Sequence, residues 1–450
     1  VLVFSLYRIT AAGVTVSADV IEIIRGLSFY FKIEALVMLF SLIGGFRWPI
    51  TTIYSIGYMR GHKEENQTRF YGCFAVAISS VMGIAYAGNL FTLFIFYEVL
   101  TLSTYPLVTH AGTEKAKLGG RTYLGILLTT SILFLLLAMI GTWYVTGTLE
   151  FKAGGIFDQS MLLAAAVLLP LYIFGIGKAA IMPFHRWLPA AMVAPTPVSA
   201  LLHAVAVVKA GVFSVLKVCT YIFGFDLLQL LPSTDFLLYL AGASVIIASL
   251  VAMRQDNLKA RLAYSTVSQL SYITVGALLA NSAGALGGAM HIGMHAFGKI
   301  TLFFCAGAIM VAAHKTEISA MRGLGRKMPI TMAAFFIGSL SIIGLPPGGG
   351  TWSKWYLMIG TIEADKLILM VVLMVSSLLN IAYLLPIPLR AFLSGDGIEQ
   401  DRPFQLKEAP LPCLLAIGVT ALGCVVLFFY PQPLYEIGTA FLEASGNHGR

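Results

Sequence analysis

The chain has 450 residues, of which 58% are hydrophobic and 11% charged, with a formal net charge of +8. A soluble domain carries roughly 25% charged residues, and so much apolar side chain cannot be hidden inside one and kept dispersed. The apolar residues come in blocks of about 20, the length a helix needs to cross the hydrocarbon of a bilayer, and this also excludes the short alternating strands of a membrane β-barrel. The chain reads as one all-α integral membrane domain, residues 1–450.

In chain order the blocks predict spans at 1–12, 30–56, 70–87, 89–109, 121–146, 161–184, 198–221, 235–253, 262–280, 286–312, 330–362, 367–389 and 410–430. The first begins at Val1 inside an apolar stretch and reads as the end of a helix whose start is missing, so an N-terminally truncated domain is expected. The polar loops are too short to be soluble domains. Numbered alternately, the loops on one side hold 17 Lys and Arg and those on the other hold 4, Arg25, Lys152, Lys366 and Arg450. The positive-inside rule places the basic face in the cytoplasm and accounts for the net charge, so no nucleic-acid partner is expected. The expected setting is a bacterial or archaeal cell membrane, crossed many times.

Two spans are interrupted. Residues 175–183 (GIGKAAIMP) and 344–350 (GLPPGGG) put glycine, proline and a nearby lysine within apolar helices. Proline removes a backbone donor, and broken backbone at membrane depth survives only inside protein or beside a wet cavity. A pair of interrupted helices in the two halves of a chain points to a transport site between repeats.

Charges at depth need a reason, since each costs about 2.5–3.5 kcal/mol on insertion scales. Glu98 lies mid-helix, Lys178 at the first break, Lys209 mid-helix and Lys354 beyond the second break. Lys217 and Lys259 sit nearer helix ends and are expected to snorkel. His291, His295 and Lys299 recur every fourth residue and share one helix face. The two histidines could bind haem or zinc, but Ile292 replaces the Glu of zinc hydrolase motifs, and a polar stripe lining a water path fits better. Burial disfavours an ammonium and a nearby carboxylate favours it, so a Glu–Lys pair that can separate takes up and releases a proton. Joined by water and histidines, such groups make a proton relay. The five cysteines are not clustered and no Gly-rich dinucleotide fingerprint follows a strand, so no cofactor and no bound metal are expected.

Several segments together resemble one family: 96–101 (FYEVLT), 177–189 (GKAAIMPFHRWLP), 194–203 (APTPVSALLH), 257–269 (NLKARLAYSTVSQ), His291/His295/Lys299, and 344–347 (GLPP) through Lys354. The chain resembles the antiporter-like subunits of Mrp-type monovalent cation/proton antiporters and of respiratory complex I. That resemblance implies about 12–14 transmembrane helices with two inverted five-helix repeats, here 70–221 and 235–390, and two broken helices. It implies that Glu98 pairs with Lys178, that Lys209 and the histidine stripe form a central relay, and that Lys354 is the outlet. Segments 55–60 (SIGYMR) and 101–106 (TLSTYP), and Lys354 in place of a Glu, look most like the D subunit of Mrp antiporters. The short tail after the last span is unlike the lateral helix of the largest members. The expected function is ion translocation within a hetero-oligomeric Na+/K+–proton antiporter. The alternative is a proton-pumping subunit of an NADH-quinone oxidoreductase or membrane-bound hydrogenase. Either way the partners are other membrane subunits, the lipid bilayer, protons and, for an antiporter, Na+ or K+.

Overall fold

The structure is a computed structural model that describes residues 5–6, 16–24, 26–393 and 406–446. All but two residues of the expected span 1–12 lie outside the described residues, as do Arg25, Arg402 and Arg450. A short hairpin comes first, β1 (Ser17–Ile24) antiparallel to β2 (Leu27–Lys32). It corrects the expected start of the second span. Residues 30–32 are strand, and the helix α1 runs over Ala35–Gly61.

The helices that follow are α2 (Gln67–Tyr86), α3 (Leu90–Val108), α4 (Glu114–Thr146) and α5 (Leu162–Gly175). Next come α6 (Thr196–Phe223), α7 (Pro232–Arg254), α8 (Leu258–Leu278) and α9 (Ser282–Ala313). The chain continues with α10 (Pro329–Ile343), α11 (Gly350–Glu363), α12 (Leu367–Leu393), α13 (Leu411–Phe429) and α14 (Gln432–Ala444). Among the described residues nine helices are long and apolar enough to cross a membrane. Helix α8 is as long but too polar to be among them, because it carries Lys259, Arg261, Gln269 and several hydroxyls. The protein is an all-α multi-span membrane protein.

Both breaks fall where proline and glycine predicted them, but they differ in form. Helix α5 stops at Gly175 and the chain passes through a 3-10 turn, a loop and a short helical stretch over 187–193 before α6 begins. The second break is one tight turn. Gly344 ends α10 with φ +88°, a left-handed position that costs other residues strain, and α11 resumes six residues later. The expected span 161–184 is therefore helical only to Gly175, and 330–362 is two helices.

Corresponding helices start alike. Asn89 caps α3 and Asn257 caps α8, each accepting from the amide three residues on; Thr113 and Asn281 do the same for α4 and α9. These capping side chains satisfy amides that have no partner in the helix. The two pairs are each five helices apart in the chain.

The two ends of the bundle sort as the charge count anticipated. At the basic face, Asn257 bonds Glu317, Lys259 reaches the Ala194 carbonyl and Glu408 caps the start of α10. At the opposite face the hairpin, Gly88, the loop at 149–155 and Ser445 are tied by backbone hydrogen bonds. Lys32 belongs to this opposite face. Helix α6 runs through the middle, and every described side chain along it is buried. Helix α4, in contrast, shows Leu133, Leu137 and Tyr144 on its outer face.

Candidate functional site

Three of the buried lysines share one solution to their burial. Lys178, Lys299 and Lys354 each give the ammonium to a main-chain carbonyl and a side-chain hydroxyl. Lys178 donates to the Tyr97 carbonyl (2.8 Å) and Thr101 Oγ1 (2.6 Å) and lies over the Tyr97 ring, 3.1 Å from its centre. Lys299 donates to the Leu262 carbonyl (3.3 Å) and Ser265 Oγ (2.7 Å). Lys354 donates to the Ile343 carbonyl (2.9 Å) and Ser377 Oγ (3.2 Å). That last carbonyl is at the C-terminus of α10, whose dipole attracts a cation. The second break thus gives Lys354 its seat.

Lys209 is seated differently. Its Nζ lies 2.5 Å from His295 Nδ1. His295 stacks near His291, with ring centres 5.7 Å apart. His291 Nδ1 is 2.8 Å from Ser353 Oγ and its Nε2 is 3.1 Å from Gln269 Oε1. Ser353 precedes Lys354, and Tyr272 joins the two groups, stacked on His291 and 4.7 Å below the Lys354 ammonium. A row of polar groups therefore runs Lys209, His295, His291, Ser353 and Lys354, all buried, with a gap between the two histidine rings. Lys299 leads off it toward the basic face, because Ser265 also accepts from Tyr383, which bonds Asn380.

The expected Glu98–Lys178 ion pair is not in contact. Glu98 Oε1 is buried without a hydrogen-bond partner, and the Lys178 ammonium rests on α3 main chain beside it. Glu98 still acts on Lys178 through space. Both His291 nitrogens are occupied, and among the described residues no group of three His, Cys, Asp or Glu could hold a metal.

Other residues escaped the sequence reading. Arg47 is buried in α1, with Nε donating to the Ile43 carbonyl (2.9 Å) and Nη1 to the Ala204 carbonyl of α6. No carboxylate pairs with it among the described residues, and its charge acts on Lys209. The signal was present: an arginine well inside an apolar block. His203 is fully buried, both ring nitrogens lack partners, and it acts through space with Lys299, Lys259 and His295. Lys217 does not snorkel. It is fully buried and donates to the Ala87 carbonyl at 2.6 Å. Lys259 is part-exposed, yet it too ends on a carbonyl, that of Ala194.

Residues 87–380 match the family described as NADH:quinone oxidoreductase/Mrp antiporter, TM. The chain is 33% identical over 398 residues to NADH-quinone oxidoreductase subunit N of Desulforudis audaxviator, covering 85% of this chain and 78% of that one. It spans about half the length of the cyanobacterial NAD(P)H-quinone oxidoreductase chains 5 that it also matches. Its fold superposes on a chain of the Mrp complex from Dietzia sp. DQ12-45-1b with a TM-score of 0.85 at 22% identity, covering 98% of this chain and 90% of that chain. A chain of the membrane-bound sulfane sulfur reductase, an archaeal respiratory membrane complex, superposes with a TM-score of 0.85 at 22% identity, covering 99% and 89%. These relatives are subunits of multi-subunit membrane complexes. The chain belongs to the transmembrane family shared by NADH:quinone oxidoreductases and Mrp antiporters.

Proposed function

We propose that this chain is an ion-translocating subunit of a multi-subunit monovalent cation (Na+/K+)/proton antiporter, carrying protons through Glu98, Lys178, Lys209, His291, His295, Lys299 and Lys354. The observation that carries the reading is the row from Lys209 through His295 and His291 to Lys354, sealed inside the protein. A proton on the Lys209 ammonium can pass to His295 Nδ1 across 2.5 Å, which leaves a neutral amine and an imidazolium. The imidazolium then gives up its other proton toward His291 through intervening water. Ser353 and Gln269 orient the His291 ring for the next transfer. Lys354 receives the proton at the second break, and the α10 terminus holds the resulting charge.

At the other end Lys178 switches the row electrostatically. With its ammonium on the Tyr97 carbonyl, Glu98 is left without a direct partner; a shift of one rotamer toward Glu98 would neutralise the carboxylate and lift a positive charge from beside α6. Lys178 sits on a single 3-10 turn, Gly177–Ala179, between α5 and the next helical turn.

A second reading, a proton-pumping subunit of an NADH-quinone oxidoreductase or membrane-bound hydrogenase, is favoured by the 33% identity to a subunit N. Both readings use the same row and differ in what drives it. The test is cation-driven proton movement in everted vesicles bearing the whole complex, with Glu98→Ala and Lys178→Ala. Antiport predicts that Na+ or K+ collapses a proton gradient and that both variants abolish this. A gradient built by NADH, insensitive to either cation and weakened by the variants, moves the chain to the second reading. Unchanged proton movement in both variants removes the relay.

A further inference from the structure

Helices α1 and α6 lie antiparallel, and their side chains meet in three layers. In the middle of the membrane Arg47 of α1 reaches α6 at the Ala204 carbonyl, five residues before Lys209. Toward the opposite face Phe40 packs on Phe213, ring centres 4.7 Å apart. At the end of the seam the hairpin joins the two helices: Lys217 of α6 donates to the Ala87 carbonyl, Ala87 bridges Phe31 of β2, and the next residue, Lys32, pairs with Glu34 at the start of α1.

The last layer is a built polar site. Glu34 is 8% exposed, pairs with Lys32 through Oε1 (2.8 Å) and leaves Oε2 buried with no partner. The Tyr221 hydroxyl is buried and unpartnered too. Lys217 is fully buried, bonded to the Ala87 carbonyl and set over the Phe151 ring at 4.3 Å. The charged groups beside the site are Lys32 on β2 and Glu150 and Lys152 on the loop after α4. A carboxylate and an amine are expensive to bury, and orphaned oxygens in such a place need a ligand or water.

We propose that Glu34 and Lys217 form a proton-exchange site at the opposite face, the mouth of a branch that reaches the Lys209–His295 centre. The inference rests on the relay reading above. Glu34 carboxylate takes a proton from water at that face and becomes a neutral acid. It passes the proton to the neutral Lys217 amine, which restores the carboxylate and forms an ammonium. Lys217 and Lys209 are eight residues apart on α6, about 12 Å along its axis. Phe213, one turn from each, fills the interval with Phe40. The aromatic pair keeps the two sites apart until water enters between them. Tyr221, one turn beyond Lys217, supplies a hydroxyl at the outer edge.

The test uses the whole complex in sealed vesicles, with pH set independently on the two faces, and compares Glu34→Gln, Glu34→Asp and Lys217→Gln with Glu98→Ala. Loss of a positioned proton-transfer group lowers rate by about a hundredfold or more. Glu34→Gln and Lys217→Gln should slow transport to that extent and remove its dependence on pH at the opposite face, while dependence at the basic face persists. Glu34→Asp should restore part of both. Native rate and native pH dependence in Glu34→Gln, beside a silent Glu98→Ala, overturn the mouth and leave the relay standing. Native transport in all four overturns both. If Glu34→Gln does not assemble, Lys217→Cys decides the matter. Modification by a membrane-impermeant maleimide added at the opposite face, above the level of the native chain, supports the mouth, and no modification from that face overturns it.

Discussion

Gly211 offers a direct handle on how the first break is held. It sits on α6 two residues after Lys209, where α6 crosses the turn that carries Lys178. A methyl group there would lie 2.3 Å from the Lys178 carbonyl carbon and from the Ala179 nitrogen, and 2.7 Å from the Lys178 oxygen. Ordinary contact begins at about 3.4 Å, so the Lys178–Ala179 backbone must retreat by about 1.1 Å in Gly211→Ala. No flexible side-chain end is available to give way. Overpacking of this kind costs about 1–3 kcal/mol. The same displacement lifts Lys178 off the Tyr97 carbonyl and Thr101, and a 1 Å misplacement of a reacting group can cost about a hundredfold in rate. The expected result is a complex that assembles with a lowered melting temperature and transports at about a hundredth of native rate. Gly125→Ala is the control, because nothing lies within 4 Å of a methyl group there. It should transport normally and be no less stable, since alanine favours the helix. Native transport in Gly211→Ala, measured in everted vesicles at equal complex content, would refute the view that Lys178 must be held where it is.

Three further outcomes follow from the same geometry. Lys209→Gln and His295→Gln should each abolish transport and the double variant should do no more, since the two act as one donor–acceptor unit; transport rates for the three variants check this. Arg47→Met should cost no more than about 3.5 kcal/mol of stability, because losing two charge-assisted bonds worth about 1.5–3 kcal/mol each is largely offset by no longer burying a charge that costs about 2.5–3.5 kcal/mol; a melting curve reads this, while transport should fall several-fold without the fixed charge near Lys209. At the basic face a hydrogen bond from Ser319 holds the Asp256 carboxyl below its usual range. That tie contributes above the ordinary carboxylate range and is lost as pH falls through it, so Ser319→Ala should lower stability at neutral pH and leave a melting temperature less sensitive to acid.

The spans, the two breaks and the sidedness of the loops were legible in the sequence because membrane insertion acts on composition over about 20 residues at a time. Lys178, Lys209 and the His291/His295/Lys299 stripe were legible for the related reason that a charge in an apolar block is conspicuous. Partners across the bundle were not. Glu98 and Lys178 share a neighbourhood without touching, and the hydroxyls and carbonyls that seat the lysines, Thr101, Ser265 and the Ile343 carbonyl among them, carry no distinguishing local pattern. Lys217 misled because distance from a helix end was taken for distance from water, whereas α6 is wrapped along its whole length. Arg47 was passed over because its block was apolar enough on average to absorb it.

That wrapping of α6 has a consequence for how the chain is made. A segment bearing His203, Lys209 and Lys217 has no lipid-facing side among its described residues. Yet α8 and α9, which supply Lys209 with His295 and cover α6, are translated only afterwards. During synthesis α6 therefore emerges before the walls that will enclose it. It must wait, in the translocation channel or beside a chaperone, with its polar groups unsheltered. Slowing translation just after residue 223 should raise degradation of the nascent chain, whereas slowing it after residue 313, once α9 is made, should be far better tolerated.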